Sequence, residues 1–99
     1  MRKIDEKAYN AFMNRKRFIG KNTQVVIDID GDAIMSLFGN DIARTDGKDI
    51  YISAGGYIPS VTTRSRLSMF VNISIYKGDF IINNRVKWDG EWTNINQFN

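Results

Sequence analysis

Two hydrophobic periods divide the chain. Ile4, Ala8, Ala11, Phe12 and Arg15 recur at helical spacing with no glycine or proline between them, which predicts a helix over residues 4–17. Asp5 and Glu6 fall in its first turn and Arg15, Lys16 and Arg17 in its last, an order that complements the helix macrodipole. Gly20 reads as its end marker. From Thr23 the period becomes two. Val25, Ile27 and Ile29 alternate with Val26, Asp28 and Asp30, the pattern of a strand with one buried face. Asp30-Gly31 then signals a two-residue hairpin. A second strand is expected over residues 33–38, broken by Gly39-Asn40, and a third over 42–44. Asp46-Gly47 turns the chain into a fourth strand at Ile50–Ser53.

Ala54–Ser60 interrupts the strands with Gly55-Gly56 and Pro59. A second helix is expected over residues 61–71, capped by Ser60 or Thr62, with Thr63, Leu67, Phe70 and Val71 facing inward. The tail returns to strands. Ile73–Tyr76 and Phe80–Asn83 flank a Lys77-Gly78-Asp79 turn, and Val86, Trp88 and Trp92 belong to short closing strands. The reading is a single α+β domain over residues 1–99, in the order α-β(3–4)-α-β(2–4). Its β-meander forms a small antiparallel sheet with two helices packed on one face.

Composition narrows the chemistry. An apolar fraction of 42% and a charged fraction of 25% are ordinary for a folded, soluble domain. There is no cysteine and no histidine, which removes thiolate chemistry, disulfides, and the commonest general base and transition-metal ligand. Residues 1–22 lack the apolar stretch of a signal peptide, so a cytoplasmic setting is expected, without membrane association. Asp28, Asp30 and Asp32 open like a calcium loop. The glycine and glutamate that such a loop needs at its sixth and twelfth positions are replaced by Ala33 and Gly39. These carboxylates read as an acidic hairpin tip, and no metal or cofactor is expected. No glycine-rich phosphate cradle is present either, and catalysis is disfavoured.

Charge is unevenly placed. The net value is +3, yet residues 1–22 carry seven basic groups against two acids, and the remainder carries seven against nine. Arg15, Lys16, Arg17 and Lys21 therefore form the first candidate nucleic-acid contact, since clustered cations are what phosphate backbones require. Thr62, Thr63, Arg64 and Arg66, with Ser65, form the second, at the expected start of the second helix. Tyr51, Tyr57, Tyr76, Trp88 and Trp92 read mostly as core, with Tyr57, Trp88 and Trp92 kept as interface candidates.

Several short strings occur in a shared order: Asn22-Thr23-Gln24-Val25, Gly39-Asn40-Asp41-Ile42-Ala43, Gly56-Tyr57, Thr62-Thr63-Arg64-Ser65-Arg66-Leu67 and Trp88-Asp89-Gly90-Glu91-Trp92. Through them the chain resembles a group of short accessory proteins of tailed bacteriophages, over about residues 9–93. The resemblance implies a phage protein in the cytoplasm of its bacterial host, and it carries no catalytic or binding residues. The resemblance implies a protein of a kind that usually binds DNA, or binds and blocks a host protein. The leading expectation is nucleic-acid binding. The alternative is inhibition of a host enzyme or defence complex, with homo-oligomer formation allowed.

Overall fold

The computed structural model describes residues 3–56 and 59–98, with side chains from Glu6 onward. The first helix, α1 (Lys3–Met13), is followed by five strands: β1 (Phe18–Ile19), β2 (Thr23–Ile27), β3 (Ala33–Leu37), β4 (Asn40–Thr45) and β5 (Ile50–Ile52). Then come α2 (Val61–Leu67), β6 (Ile73–Tyr76), β7 (Asp79–Ile82), β8 (Val86–Trp88), β9 (Thr93–Asn94) and a closing 3₁₀ turn at Ile95–Phe98. The fold is α+β and every strand pair is antiparallel. The strands make two sheets rather than one. Six of them run in the order β1-β2-β3-β4-β5-β9, and β6-β7-β8 form a separate three-stranded sheet.

The first helix ends earlier than the periodicity implies. Its last helical residue is Met13, and the chain leaves through a Schellman turn. The Lys16 N–H donates to the Ala11 carbonyl at 2.8 Å and the Arg15 N–H to the Phe12 carbonyl at 3.1 Å. Arg15 takes the left-handed conformation at φ 52°, where glycine is usual. Arg15, Lys16 and Arg17 therefore lie beyond the helix, not in its last turn. Gly20 closes the β1–β2 turn instead, donating to the Thr23 carbonyl at 2.8 Å.

The hairpins also differ in detail. Asp28 N–H donates to the Asp32 carbonyl and Gly31 N–H to the Asp28 carbonyl, so Ile29, Asp30 and Gly31 form a three-residue loop, one longer than Asp-Gly alone predicts. The β3–β4 turn sits one residue earlier than expected. Leu37 pairs with Asn40 across Phe38-Gly39, at φ 51° and 83°, the backbone of a type I′ turn. On β4, Ser36 faces Asp41 and Met35 faces Ala43, leaving Ile42 as an extra residue in a bulge. The bulge lets Ile42 and Ala43 both turn inward, and both are fully buried.

One hydrophobic core joins the layers. Val25, Met35, Leu37, Ile42 and Ile52 of the larger sheet meet Ala8 and Phe12 of α1, Leu67 of α2, and Ile73, Phe80, Ile82 and Trp88 of the smaller sheet. Phe70, beyond the end of α2, stacks on Tyr9 and Phe12 at centroid distances of 5.7 and 5.2 Å. Both helices and the smaller sheet thus contribute to one shared core with the larger sheet, and among the described residues nothing covers the opposite face of the larger sheet. Among the described residues, no helix is long and apolar enough to cross a membrane.

Candidate binding surfaces

Arg15, Lys16, Arg17 and Lys21 are all exposed, and none forms an ion pair with a described carboxylate. The fold does not keep them together. Phe18 pairs with Val25, so residues 15–17 stand at the end of the larger sheet that carries the β2–β3 and β4–β5 loops. Arg15 Nη1 reaches the Asp46 carbonyl there at 3.4 Å. Lys21 lies at the opposite end, beside the β3–β4 turn, where Phe38 N–H donates to the Asn22 carbonyl at 2.8 Å.

The end that holds Arg15, Lys16 and Arg17 is electrically balanced. With Arg44 and Lys48 it presents five cations, against Asp28, Asp30, Asp32, Asp46 and Asp49. Two of these carboxylates are already engaged. Arg44 on β4 donates to Asp28 Oδ2 and, at 2.9 and 3.1 Å, to Asp32 Oδ2. Burial raises the Asp28 carboxyl. The backbone N–H groups of Asp32 and Asp30 and the Arg44 guanidinium outweigh it and hold Asp28 below its ordinary value. The hydrogen bond to Asp32 raises Arg44 in return. Asp46 is likewise held low, by the backbone N–H groups of Asp49 and Lys48. The acidic hairpin tip is thus a braced loop. Among the described residues, no three carboxylates are grouped as a metal ion would need.

The second cationic cluster changes character. Ser60 caps α2, its Oγ accepting from the Thr63 N–H at 3.2 Å while its hydroxyl donates to Thr63 Oγ1. Thr63 is buried. Arg66 is only 1% exposed, and its Nε donates to Thr23 Oγ1 at 2.8 Å and its Nη2 to Asn22 Oδ1 at 3.1 Å. Arg66 therefore pins α2 to the start of β2 and cannot reach an external phosphate. Thr62 and Arg64 remain partly exposed. The cause is helical spacing: residues 63, 66 and 67 share the face that packs inward.

The aromatic candidates divide. Trp88 is core rather than interface, 6% exposed, stacked between Phe80 and Phe98 and donating from Nε1 to Thr93 Oγ1 at 3.2 Å. Trp92 is 48% exposed and shares a shallow cleft with Asp41, Arg44 and Tyr51 on the open face of the larger sheet. Asp41, Asp89 and Glu91 line an adjoining cavity, so that end of the face is acidic. Tyr57 lies outside the described residues.

Tyr76 is not the core residue that its pattern suggests. Tyr76, at the end of β6, is 63% exposed and lies under the Lys77 ammonium, 5.4 Å from its ring centroid. Lys87 stands on β8 of the same three-stranded sheet and Arg85 in the turn before it, with Asp79 on β7 and Asp89 directly after β8. The signal was an aromatic residue beside a cation in a tight turn, and it was overshadowed by the denser run at 15–17.

No curated protein and no solved structure matches the chain. A family of bacteriophage proteins does, across nearly the whole length, residues 1–98, in keeping with the order of strings noted in the sequence. The chain belongs to the Kyanoviridae Gp96 protein family.

Proposed function

We propose that this phage accessory protein acts without catalysis of its own, by binding nucleic acid in the cytoplasm of the infected bacterium. The observation that carries the reading is the row Arg15, Lys16 and Arg17, exposed beyond the Schellman turn with no described carboxylate in ion-pair range. A left-handed residue followed by extended chain holds three cations on one short, open connection, where a phosphate backbone has access. The nearby carboxylates limit the field. Contact should therefore be weak and local, with few counterions released.

The test is a mobility shift in low salt against DNA and RNA. Wild type is expected to bind, with affinity falling as salt rises along a slope of roughly −2 to −3, the value for about three phosphates. Arg15→Glu, Lys16→Glu and Arg17→Glu combined should flatten that slope. No shift with either nucleic acid at low salt would remove the reading.

A second reading, capture of a host protein, is favoured by one observation: Trp92 and Tyr51 stand half-exposed on the open sheet face with acidic neighbours. Aromatic anchors are enriched in protein interfaces. A host protein retained from lysate after nuclease treatment, and lost with Trp92→Ala, would favour this reading over the first.

A further inference from the structure

We infer that the outer face of the three-stranded sheet binds single-stranded nucleic acid. The inference shares a ligand class with the proposed function but none of its residues. In the register of this sheet, Ser74, Ile81 and Lys87 form one outward row, and Tyr76 and Asp79 the next. The inward residues of the same strands, Ile73, Phe80, Ile82 and Trp88, are buried in the core, so the outer face has nothing packed on it among the described residues.

Three properties of this face match one ligand. First, charge: Lys77, Arg85 and Lys87 outnumber Asp79 and Asp89, and Lys87 already pairs with Asp79 at 3.5 Å. That leaves Lys77 and Arg85 for phosphates, one at each hairpin turn flanking the face. Second, a flat ring: Tyr76 is 63% exposed with the Lys77 ammonium over its ring, and an exposed ring of this kind can stack a base on its free side. Third, shape: Ser74, Ile75, Tyr76, Ile81, Asn84 and Arg85 line an open cleft of about 420 Å³ that mixes apolar and polar side chains. A base must leave its duplex to stack on a tyrosine in this cleft, which selects single strands. The open face of the larger sheet also offers aromatics, but Asp41, Asp89 and Glu91 beside Trp92 repel phosphates there.

The two cations stand in turns at opposite ends of the face: Lys77-Gly78 takes positive φ at both residues, as a two-residue type I′ hairpin requires, and Arg85 ends a three-residue loop in which Asn83 and Asn84 take positive φ.

The experiment is fluorescence anisotropy of labelled oligo-dT and of a duplex of equal length. It compares wild type with Tyr76→Ala, Tyr76→Phe, Arg85→Glu and the triple variant at Arg15, Lys16 and Arg17. Tyr76 and Arg85 are exposed, so unchanged circular dichroism is expected for their variants. Wild type should prefer the single strand. Tyr76→Ala should weaken that binding roughly 5- to 150-fold, the range for loss of one stacked base, while Tyr76→Phe retains it. Arg85→Glu should lower affinity and flatten the salt dependence. Single-strand affinity unchanged by both Tyr76→Ala and Arg85→Glu would overturn the inference. If only the triple variant abolishes binding, the inference falls and the proposed function stands. No binding by wild type removes both.

Discussion

Arg66 separates charge as composition from charge as structure. As a cation in a run of hydroxyls it invites a phosphate, yet its position, three after Thr63 and one before Leu67, places it on the buried face of α2. Once there, its guanidinium must be satisfied internally, and Thr23 Oγ1 and Asn22 Oδ1 accept from it. Its role is to join α2 to the larger sheet across 43 residues of sequence. Removing it leaves a cavity and takes a charged donor from two acceptors, which should cost about 3 kcal/mol. In a domain of this size that is a fall in Tm of roughly 12–24 °C. Arg66→Ala followed by thermal denaturation measures this, with the half-exposed Arg64→Ala as control, expected within about 0.5 kcal/mol of wild type. Equal melting of the two variants would mean that the Arg66 contacts contribute nothing. Arg66→Lys should recover only part of the loss, because an ammonium cannot span both acceptors as the planar fork does.

Elements were legible where the period was long and the ends were not. Both helices and the strands around Val25, Met35, Ile52 and Ile73 follow directly from spacing. The ends of α1 and α2 do not, because Arg15 fills a left-handed position that carries no glycine signal, and Phe70 and Val71 continue an apolar pattern after α2 has ended. The division into two sheets was equally hidden, since it depends on β9 returning to pair with β5 across 43 residues. The β2–β3 hairpin illustrates the same limit for a site. Its acids are visible in the sequence, but their brace, Arg44, comes from β4. That brace gives the hairpin a pH dependence. Asp28 titrates below its ordinary value in the folded state, so its contribution to stability is complete above the unfolded value near pH 3.8 and disappears as pH falls through the lower folded value. Replacing Arg44 by Met should destabilise the protein at neutral pH. The gap between variant and wild type should then narrow from about pH 4 downward, as protonation removes what the arginine had paired with. Melting curves between pH 7 and pH 2 test this. A gap that is constant across the range would show that Arg44 acts through packing alone.

At the scale of the whole molecule, the two sheets pose a question of cooperativity. The three-stranded sheet is joined to the larger one through side chains rather than backbone pairing, so it could in principle detach first. The core argues against that. Phe80, Ile82 and Trp88 belong to the same buried cluster as Met35, Leu37 and Ile52, and Trp88 stacks on Phe98 of the turn that follows β9. Asn83 Nδ2 also donates to the Phe98 carbonyl at 2.8 Å, closing the chain end onto the smaller sheet. Losing that sheet would expose apolar surface on both sides at once, without freeing the larger sheet's own backbone. The two should therefore unfold together. The indole of Trp88 reports the smaller sheet, provided the half-exposed Trp92 is first replaced by Phe. Far-UV circular dichroism is dominated by the six-stranded sheet and the helices. In urea, the Trp88 fluorescence and dichroism curves are expected to superimpose at one midpoint, with a single slope of about 1–3 kcal/mol/M. Fluorescence leading dichroism would show the smaller sheet to be an independent unit. The face bearing Tyr76 and Arg85 would then sit on a part of the protein that opens on its own, rather than on a surface held rigid by the common core.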